Sequence, residues 1–224
     1  MRPSTNWRMR WRARLEPVLA LGPSRLALLV GIFFVLLSLF LPFWTLSEQT
    51  GTRQEIHSFS WNTFATDRFD DGSWSGTTIL PYRSPGVAYP TVAVVAGNVY
   101  VLQVVYLLIL LAILGMFQLG FSRSLPTLSL LFLSLIVLTG ALFALFYPLV
   151  GIPAAATTDA RFFAVSGFWG TALEAGTSWS WGAGLGWWTL LVGVILGILG
   201  AVLPYLKSVR TMALSPPVAI PPSP

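Results

Sequence analysis

The chain has 224 residues, of which 55% are hydrophobic and only 9% are charged, and its formal net charge is +5. A soluble domain has roughly 25% charged residues, so an ordinary water-soluble enzyme is excluded and the composition indicates a membrane protein. Cysteine is absent and histidine occurs once. Disulfide frameworks, thiol catalysis and multi-histidine metal sites are therefore excluded as well.

Four uncharged apolar runs are each long enough to cross a bilayer, which takes about 20 residues: 26–46, 92–118, 127–150 and 184–206. We predict an all-α membrane bundle of four transmembrane helices. The first run is too long for the apolar part of a signal peptide and ends without a small-residue cleavage site, so we expect it to be retained. The other segments are a basic stretch (1–25), two long loops (47–91 and 151–183), a short loop (119–126) and a tail (207–224).

The distribution of basic residues predicts the orientation. Both ends of the chain and the 119–126 loop share one side, with nine cations and one acid, Glu16. The opposite side has four cations and seven acids. Because cytoplasmic flanks carry an excess of Lys and Arg, we expect a multi-pass protein of the cell membrane with both termini in the cytoplasm and both long loops outside.

The first long loop has the pattern of a small β-sheet. Strand-like pieces begin at Thr45, Ile56 and Ser73, and the turn signals Thr50-Gly51 and Asp70-Asp71-Gly72 separate them. We predict about three strands that form an extracytoplasmic cap on the helix ends. The Asp-rich turn does not have the spacing of an EF-hand calcium loop, so a hairpin turn is the simpler interpretation. His57 is interpreted as a surface or partly packed imidazole.

The second long loop ends in an aromatic and glycine-rich run. Trp169, Trp179, Trp181, Trp187 and Trp188 fall here, and tryptophan is typical of the membrane–water interface. An aromatic belt is one interpretation, and a platform for a lipid headgroup, a polysaccharide or a partner protein is the other. Gly182, Gly184 and Gly186 would permit close backbone approach.

Two sets of residues in the runs are candidates for helix contacts or a polar path. Gly186, Gly193, Gly197 and Gly200 lie on one helical face, which predicts close packing inside the bundle or an interface with a partner. Tyr100, Gln103 and Tyr106 lie three residues apart on one side of the second run and should face the bundle. They indicate interhelical hydrogen bonds or a neutral polar path.

The basic N-terminal end of the chain suggests contacts with lipid rather than nucleic acid. Residues 5–16 resemble an interfacial amphipathic helix, in which Arg8, Arg10, Arg12 and Arg14 would meet anionic headgroups. The tail has five prolines in its last ten residues, which indicates an extended end.

The layout resembles the claudin/PMP22 tetraspan family. Trp44 at the end of the first run and Phe59-Ser60-Trp61 in the first loop lie roughly where claudins place Trp and Gly-Leu-Trp, although the two loop cysteines of that family have no counterpart. The entry to the last run, residues 179–188, resembles uncharacterised prokaryotic four-span proteins with a W-G-x-G-x-G-W segment. That second resemblance implies no activity.

Three functions are carried forward. The first is a non-enzymatic structural or accessory subunit, which forms a homo-oligomer or joins a partner membrane subunit, presents the cap and needs no cofactor. The second is a channel or small-solute permease. The third is a lipid- or glycan-acting enzyme using Asp159, Glu174 or His57.

Overall fold

The computed structural model describes residues 21–60, 62–160 and 164–214, and of residues 122 and 123 the backbone alone. The predicted interfacial helix with its four arginines, the proline-rich tail and Trp61 lie outside the described residues. The predictions about them stay predictions.

Helices and strands alternate in blocks along the chain. In order they are α1 (Gly22–Ser38), β1 (Trp44–Thr50), β2 (Arg53–Phe59), β3 (Thr63–Asp70), β4 (Ser73–Pro81), α2 (Pro90–Gln118), α3 (Phe121–Ser124), α4 (Thr127–Asp159), β5 (Gly170–Glu174), β6 (Thr177–Ala183) and α5 (Leu185–Leu214). Each of the two long loops therefore contributes strands, and the segments between strands and helices are short.

Three of the helices, α2, α4 and α5, are long and apolar enough to cross a membrane, which places the chain among membrane proteins. The first helix is shorter than the predicted run 26–46. Its 17 residues rise about 26 Å at 1.5 Å per residue, a little less than the ~30 Å hydrocarbon core. It ends at Ser38 because residues 44–46, although apolar enough to extend the run, are paired in β1.

The third and fourth predicted runs end too early. Helix α4 continues nine residues beyond residue 150 to Asp159, through Pro148 and Pro153, and α5 continues beyond residue 206 to Leu214. A proline removes one helical hydrogen bond, yet Ile152, Pro153 and Ala156 are buried. The packing of this turn against the rest of the molecule therefore stabilises the helix beyond the two prolines. The second loop is shorter than predicted as a result.

All six strands form one antiparallel sheet with the order β4-β3-β2-β1-β6-β5. The predicted β-rich cap is present, but the prediction of about three strands was too small. The first loop supplies four strands and the second supplies a hairpin, whose strand β6 pairs with β1. The 70–72 turn is a hairpin turn as predicted, with Asp71 and Gly72 both at positive φ.

The sheet continues directly from the helix ends, because backbone hydrogen bonds cross the junction. Phe43 N–H donates to Phe59 O (2.7 Å), and Gly184 N–H donates to Phe43 O (2.9 Å). In the first turn of α5, Gly186 N–H donates to Pro42 O (2.8 Å). These bonds tie the α1–β1 turn to β2 and to α5, so the cap and the bundle form one packed unit.

Charged residues divide between the two ends of the bundle. The sheet end, with the loops that enter it, has seven acids and the arginines 53, 68 and 83 among its described residues, whereas Arg25, Lys207 and Arg210 lie at the opposite end without an acid. This is the asymmetry expected if the sheet lies outside the cell.

Candidate functional site at the junction of cap and bundle

The predicted glycine face of α5 is a contact within the chain. Gly186, Gly193, Gly197 and Gly200 are all buried. A Cβ atom built at Gly193 would lie 2.9 Å from Gly31 O, and one built at Gly200 would lie 2.6 Å from the Leu28 side chain. Both of those residues belong to α1. The stripe therefore lets α1 and α5 approach backbone to backbone, which is the interpretation of internal packing rather than of a partner interface.

The glycines where β6 meets α5 serve the same purpose at the sheet. A Cβ at Gly186, in the first turn of α5, would lie 2.6 Å from Leu41 O, and one at Gly182 would lie 2.6 Å from the indole of Trp169. Since only a residue without a side chain leaves this room, the G-x-G-x-G run is explained by the close approach of α5 to the α1–β1 turn and of β6 to Trp169.

The tryptophans of the second loop pack into the junction rather than forming a uniform belt. Trp169 and Trp188 are each 50% exposed, but Trp179, Trp181 and Trp187 are buried. Trp181 Nε1 donates to Gly167 O (2.9 Å). Protein groups, not interfacial water, thus satisfy this indole, and three of the five predicted interfacial aromatics are core residues.

A ring cluster continues this packing between the sheet and α5. Phe168 lies 4.8 Å from Trp169 and 6.0 Å from Trp187, measured between ring centroids. Its carbonyl accepts a hydrogen bond from Trp44 Nε1 (3.0 Å). Aromatic pairs at these separations contribute about 0.5–1.5 kcal/mol each beyond the free energy that comes from burying their surface. The cluster therefore stabilises the contact between the cap and the bundle.

The predicted polar path is enclosed. Tyr100, Gln103 and Tyr106 are all buried on one side of α2. Tyr100 Oη donates to Phe59 O (3.3 Å), and Tyr106 Oη donates to Val194 O (3.4 Å). The two hydroxyls therefore link α2 to the sheet and to α5. Gln103 differs from them, because its fully buried amide has no hydrogen-bond partner among the described residues.

His57 lies inside the cap. It is 4% exposed, its Nδ1 is 3.0 Å from Thr66 Oγ1, and its ring stacks on Phe64 with 5.5 Å between centroids. The edge of Tyr89 covers its other side. Burial lowers the pKa of His57, although the carboxylate of Glu55 opposes the change. This is a packed, neutral imidazole at physiological pH.

Polar residues follow on the same face of the sheet, further from the membrane. Glu55 forms ion pairs with Arg53 (2.7 Å) and Arg68 (3.3 Å). Glu48 lies opposite Glu55 in the register. Burial raises the pKa of Glu48, and the charge of Glu55 adds to the rise.

The carboxylates proposed for acid–base chemistry have structural or exposed positions. Asp159 Oδ2 accepts a hydrogen bond from Val92 N–H (2.9 Å), so this side chain at the end of α4 caps the start of α2. Glu174 is exposed at the tip of the β5–β6 hairpin. His57 on β2 is three strand positions from β5, roughly 14 Å at the usual strand spacing. The fold does not bring His57 and Glu174 together.

Sequence reasoning missed the two edge strands as functional features. Trp74 and Ile79 on β4 are 63% and 64% exposed, and Leu173 on β5 is 76% exposed. The signal for β4 was present in the strand-like run from Ser73, but a strand's position at a sheet edge depends on the pairing of all the others.

No protein-family model matches the chain, and no curated protein matches it in sequence.

Proposed function

We propose that the chain is a non-enzymatic, four-span protein of the cell membrane, a structural or accessory subunit whose partner binds the extracytoplasmic cap. The apolar character of α1 and its packing along α5 support its counting as the fourth span. The charge difference between the two ends of the bundle supports cytoplasmic termini. The four-helix, β-capped arrangement also supports the resemblance to the claudin/PMP22 layout.

One observation carries this proposal: among the described residues, the edge strands β4 and β5 each pair on one side only, and they carry large exposed apolar side chains. An edge strand presents unpaired N–H and C=O groups that another chain can pair with. Exposed edges in soluble proteins are normally protected by charge or proline. Here β4 exposes Trp74 and Ile79 instead, which favours a partner, either another membrane protein or a second copy, at this edge.

The experiment is crosslinking in nanodiscs and in native membranes, comparing wild type with Ile79→Lys. A lysine at an edge opposes strand addition, and Ile79 is exposed, so folding should survive while the crosslinked species is lost. Thr78→Lys, on the opposite face of the same strand, separates loss of an apolar contact from loss of edge pairing. A wild-type protein that crosslinks to nothing in its native membrane contradicts the proposal.

A second candidate, a channel or permease with a neutral polar path, is favoured by the unpartnered amide of Gln103. An unsatisfied polar group costs several kcal/mol in a lipid-like interior, and water or a small solute would satisfy it. Liposome flux of ions and small neutral solutes tests this function. Gln103→Leu should abolish any flux, and wild-type flux no greater than that of empty liposomes eliminates the candidate.

A further inference from the structure

Two grooves lie along α2 below the cap. The upper one has a volume of about 530 Å³ and the lower one about 380 Å³, and they adjoin at Val105, which lines both. The upper part is lined by Asn62, Tyr82 and Arg83 next to the sheet and by Gly97, Val101 and Val104 below them. The lower part lies between α2 and α4, beside Ile109 and Gly140. We call the two parts together the α2 groove.

The α2 groove is polar at the end near the cap and apolar along the rest of its length. Its course from Gly97 to Ile109 covers 12 residues of helix, about 18 Å at 1.5 Å per residue. One leaflet contributes about 15 Å of the ~30 Å hydrocarbon core. The apolar part therefore matches the depth of one leaflet and begins where the polar mouth ends.

Two glycines give the α2 groove its depth. A Cβ built at Gly97 meets no other atom within 4 Å, so this position is open space. At Gly140 a Cβ would lie 3.1 Å from the ring of Tyr106, and the missing side chain lets α4 approach α2 at the floor of the lower part.

The mouth of the α2 groove carries an uncompensated positive charge. Arg83 is exposed and forms no ion pair with another described residue. None of the described carboxylates lines either part of the groove, although acids outnumber cations at this end of the bundle. A guanidinium at this position offers the fork of donors that binds phosphate oxygens well.

We propose that the α2 groove binds one anionic phospholipid from the leaflet on the cap side, with its phosphate at Arg83 and an acyl chain along Val101 and Val105 towards Ile109. The positive mouth selects an anionic rather than a zwitterionic headgroup, and the depth of the apolar part selects a lipid tail. This site is independent of the proposed function, because it needs neither a partner nor transport.

The experiment uses the full chain in phosphatidylcholine vesicles that contain a trace of phosphatidylglycerol with a diazirine in its acyl chain. After photolysis, mass spectrometry maps the modified residues. We expect labelling of the groove segments, 97–109 and 132–143, to exceed that by a phosphatidylcholine probe with the same tail by up to about fivefold, the preference that an exposed ion pair can give.

Two variants locate the site. Arg83→Gln should remove the preference for the anionic probe in the groove while leaving labelling near Val209 and Met212, at the other end of the bundle, unchanged. Gly97→Leu should reduce labelling of the groove by both probes. Gly115→Leu is the matched control. Gly115 lies on the same helix, and a Cβ there also meets no atom within 4 Å. It should behave like wild type.

Either of two results would overturn the proposal. Equal labelling of the groove by the two probes in wild type would mean that ordinary annular lipid fills it. An anionic preference that persists in Arg83→Gln would mean that the charge at the mouth does not select the headgroup.

Discussion

His57 shows how a single residue can make the cap sensitive to pH. It is the chain's only histidine, and in β2 it is covered by Phe64 and Tyr89. From the sequence we expected a surface or partly packed imidazole, and the structure places it in the core of the cap. The alternation of a strand shows which residues share a face, but not which face other elements cover.

We predict that the thermal stability of the protein falls as the pH drops below about 6.5. Burial lowers the folded-state pKa of His57 from the ordinary value of 6.5, so between the two pKa values the unfolded chain binds a proton that the folded chain does not. The stabilisation is complete above pH 6.5 and is lost as the pH falls towards the folded-state value. Tryptophan fluorescence during heating in nanodiscs measures this change.

His57→Gln is the control for this pH dependence. The variant leaves Glu48 unchanged. The raised pKa of Glu48 has the opposite effect, because protonation of this partly buried carboxyl favours the folded state. The difference between wild type and variant isolates the histidine. If both lose the same stability between pH 7.5 and 5.5, His57 does not cause the loss.

Among the elements, the pair α1 and α5 depends most on small residues. Gly31 on α1 meets Gly193 and Gly197 on α5, and a Cβ at Gly31 would lie 2.9 Å from Gly193 O. The seven-, four- and three-residue intervals along the sequence predicted this face. They did not identify its partner, because a glycine stripe is the same whether it meets a helix of its own chain or of another.

We predict opposite effects for alanine at two glycines. Gly193→Ala should destabilise the fold by about 1–3 kcal/mol, the usual cost of overpacking, because its Cβ would lie 2.8 Å from Val35 Cγ2. Gly115→Ala should stabilise it by up to ~1 kcal/mol through helix propensity, since space is open there. Gly193→Leu and Gly197→Leu should be worse than Gly193→Ala.

Chemical unfolding in mixed micelles measures these differences, and membrane insertion should be normal for every variant because all the new side chains are apolar. A Gly193→Ala protein as stable as wild type would show that α1 and α5 do not touch at this point.

The sequence predicted some elements of the cap better than others, for reasons that can be identified. Glycine and aspartate marked the turns at 50–51 and 70–72, and both are hairpin turns. Strand β3 was missed because its acids, Asp67 and Asp70, were interpreted as part of an Asp-rich turn. The end of the first run was wrong because an apolar strand that follows an apolar helix does not interrupt the hydrophobicity.

On the scale of the whole molecule, composition predicted the membrane class and the local patterns predicted the helices. The assembly of one sheet from two loops, which helices α2, α3 and α4 separate in the chain, was not predictable in this way. It depends on the register of β1 with β6, in which Trp44 pairs with Ala183, and a non-local pairing leaves no periodic signal in either strand.

We predict that the sheet and the α2–α4 connection lie on opposite sides of the membrane. The chain has no native cysteine, so single cysteines can report position. In intact cells a membrane-impermeant maleimide should label Thr52→Cys and Glu174→Cys but not Leu119→Cys. An N-terminal epitope tag should become accessible only after permeabilisation, which tests whether α1 crosses the bilayer.

The opposite labelling pattern would reverse the orientation. A tag that is accessible in intact cells together with a labelled Thr52→Cys would mean that α1 does not cross.

The pairing of β1 with β6 has a mechanical consequence. Helix α1 is followed in the chain by β1, and α5 begins two residues after the end of β6. The two most closely packed helices are therefore connected to two neighbouring strands. Sliding α1 along α5 would have to shift the strands by the same distance. Strand registers change only in whole residues, and a shift of one residue turns every side chain to the other face. The sheet therefore prevents α1 and α5 from sliding along each other. Axial sliding of helices in the bundle is left to α2 and α4.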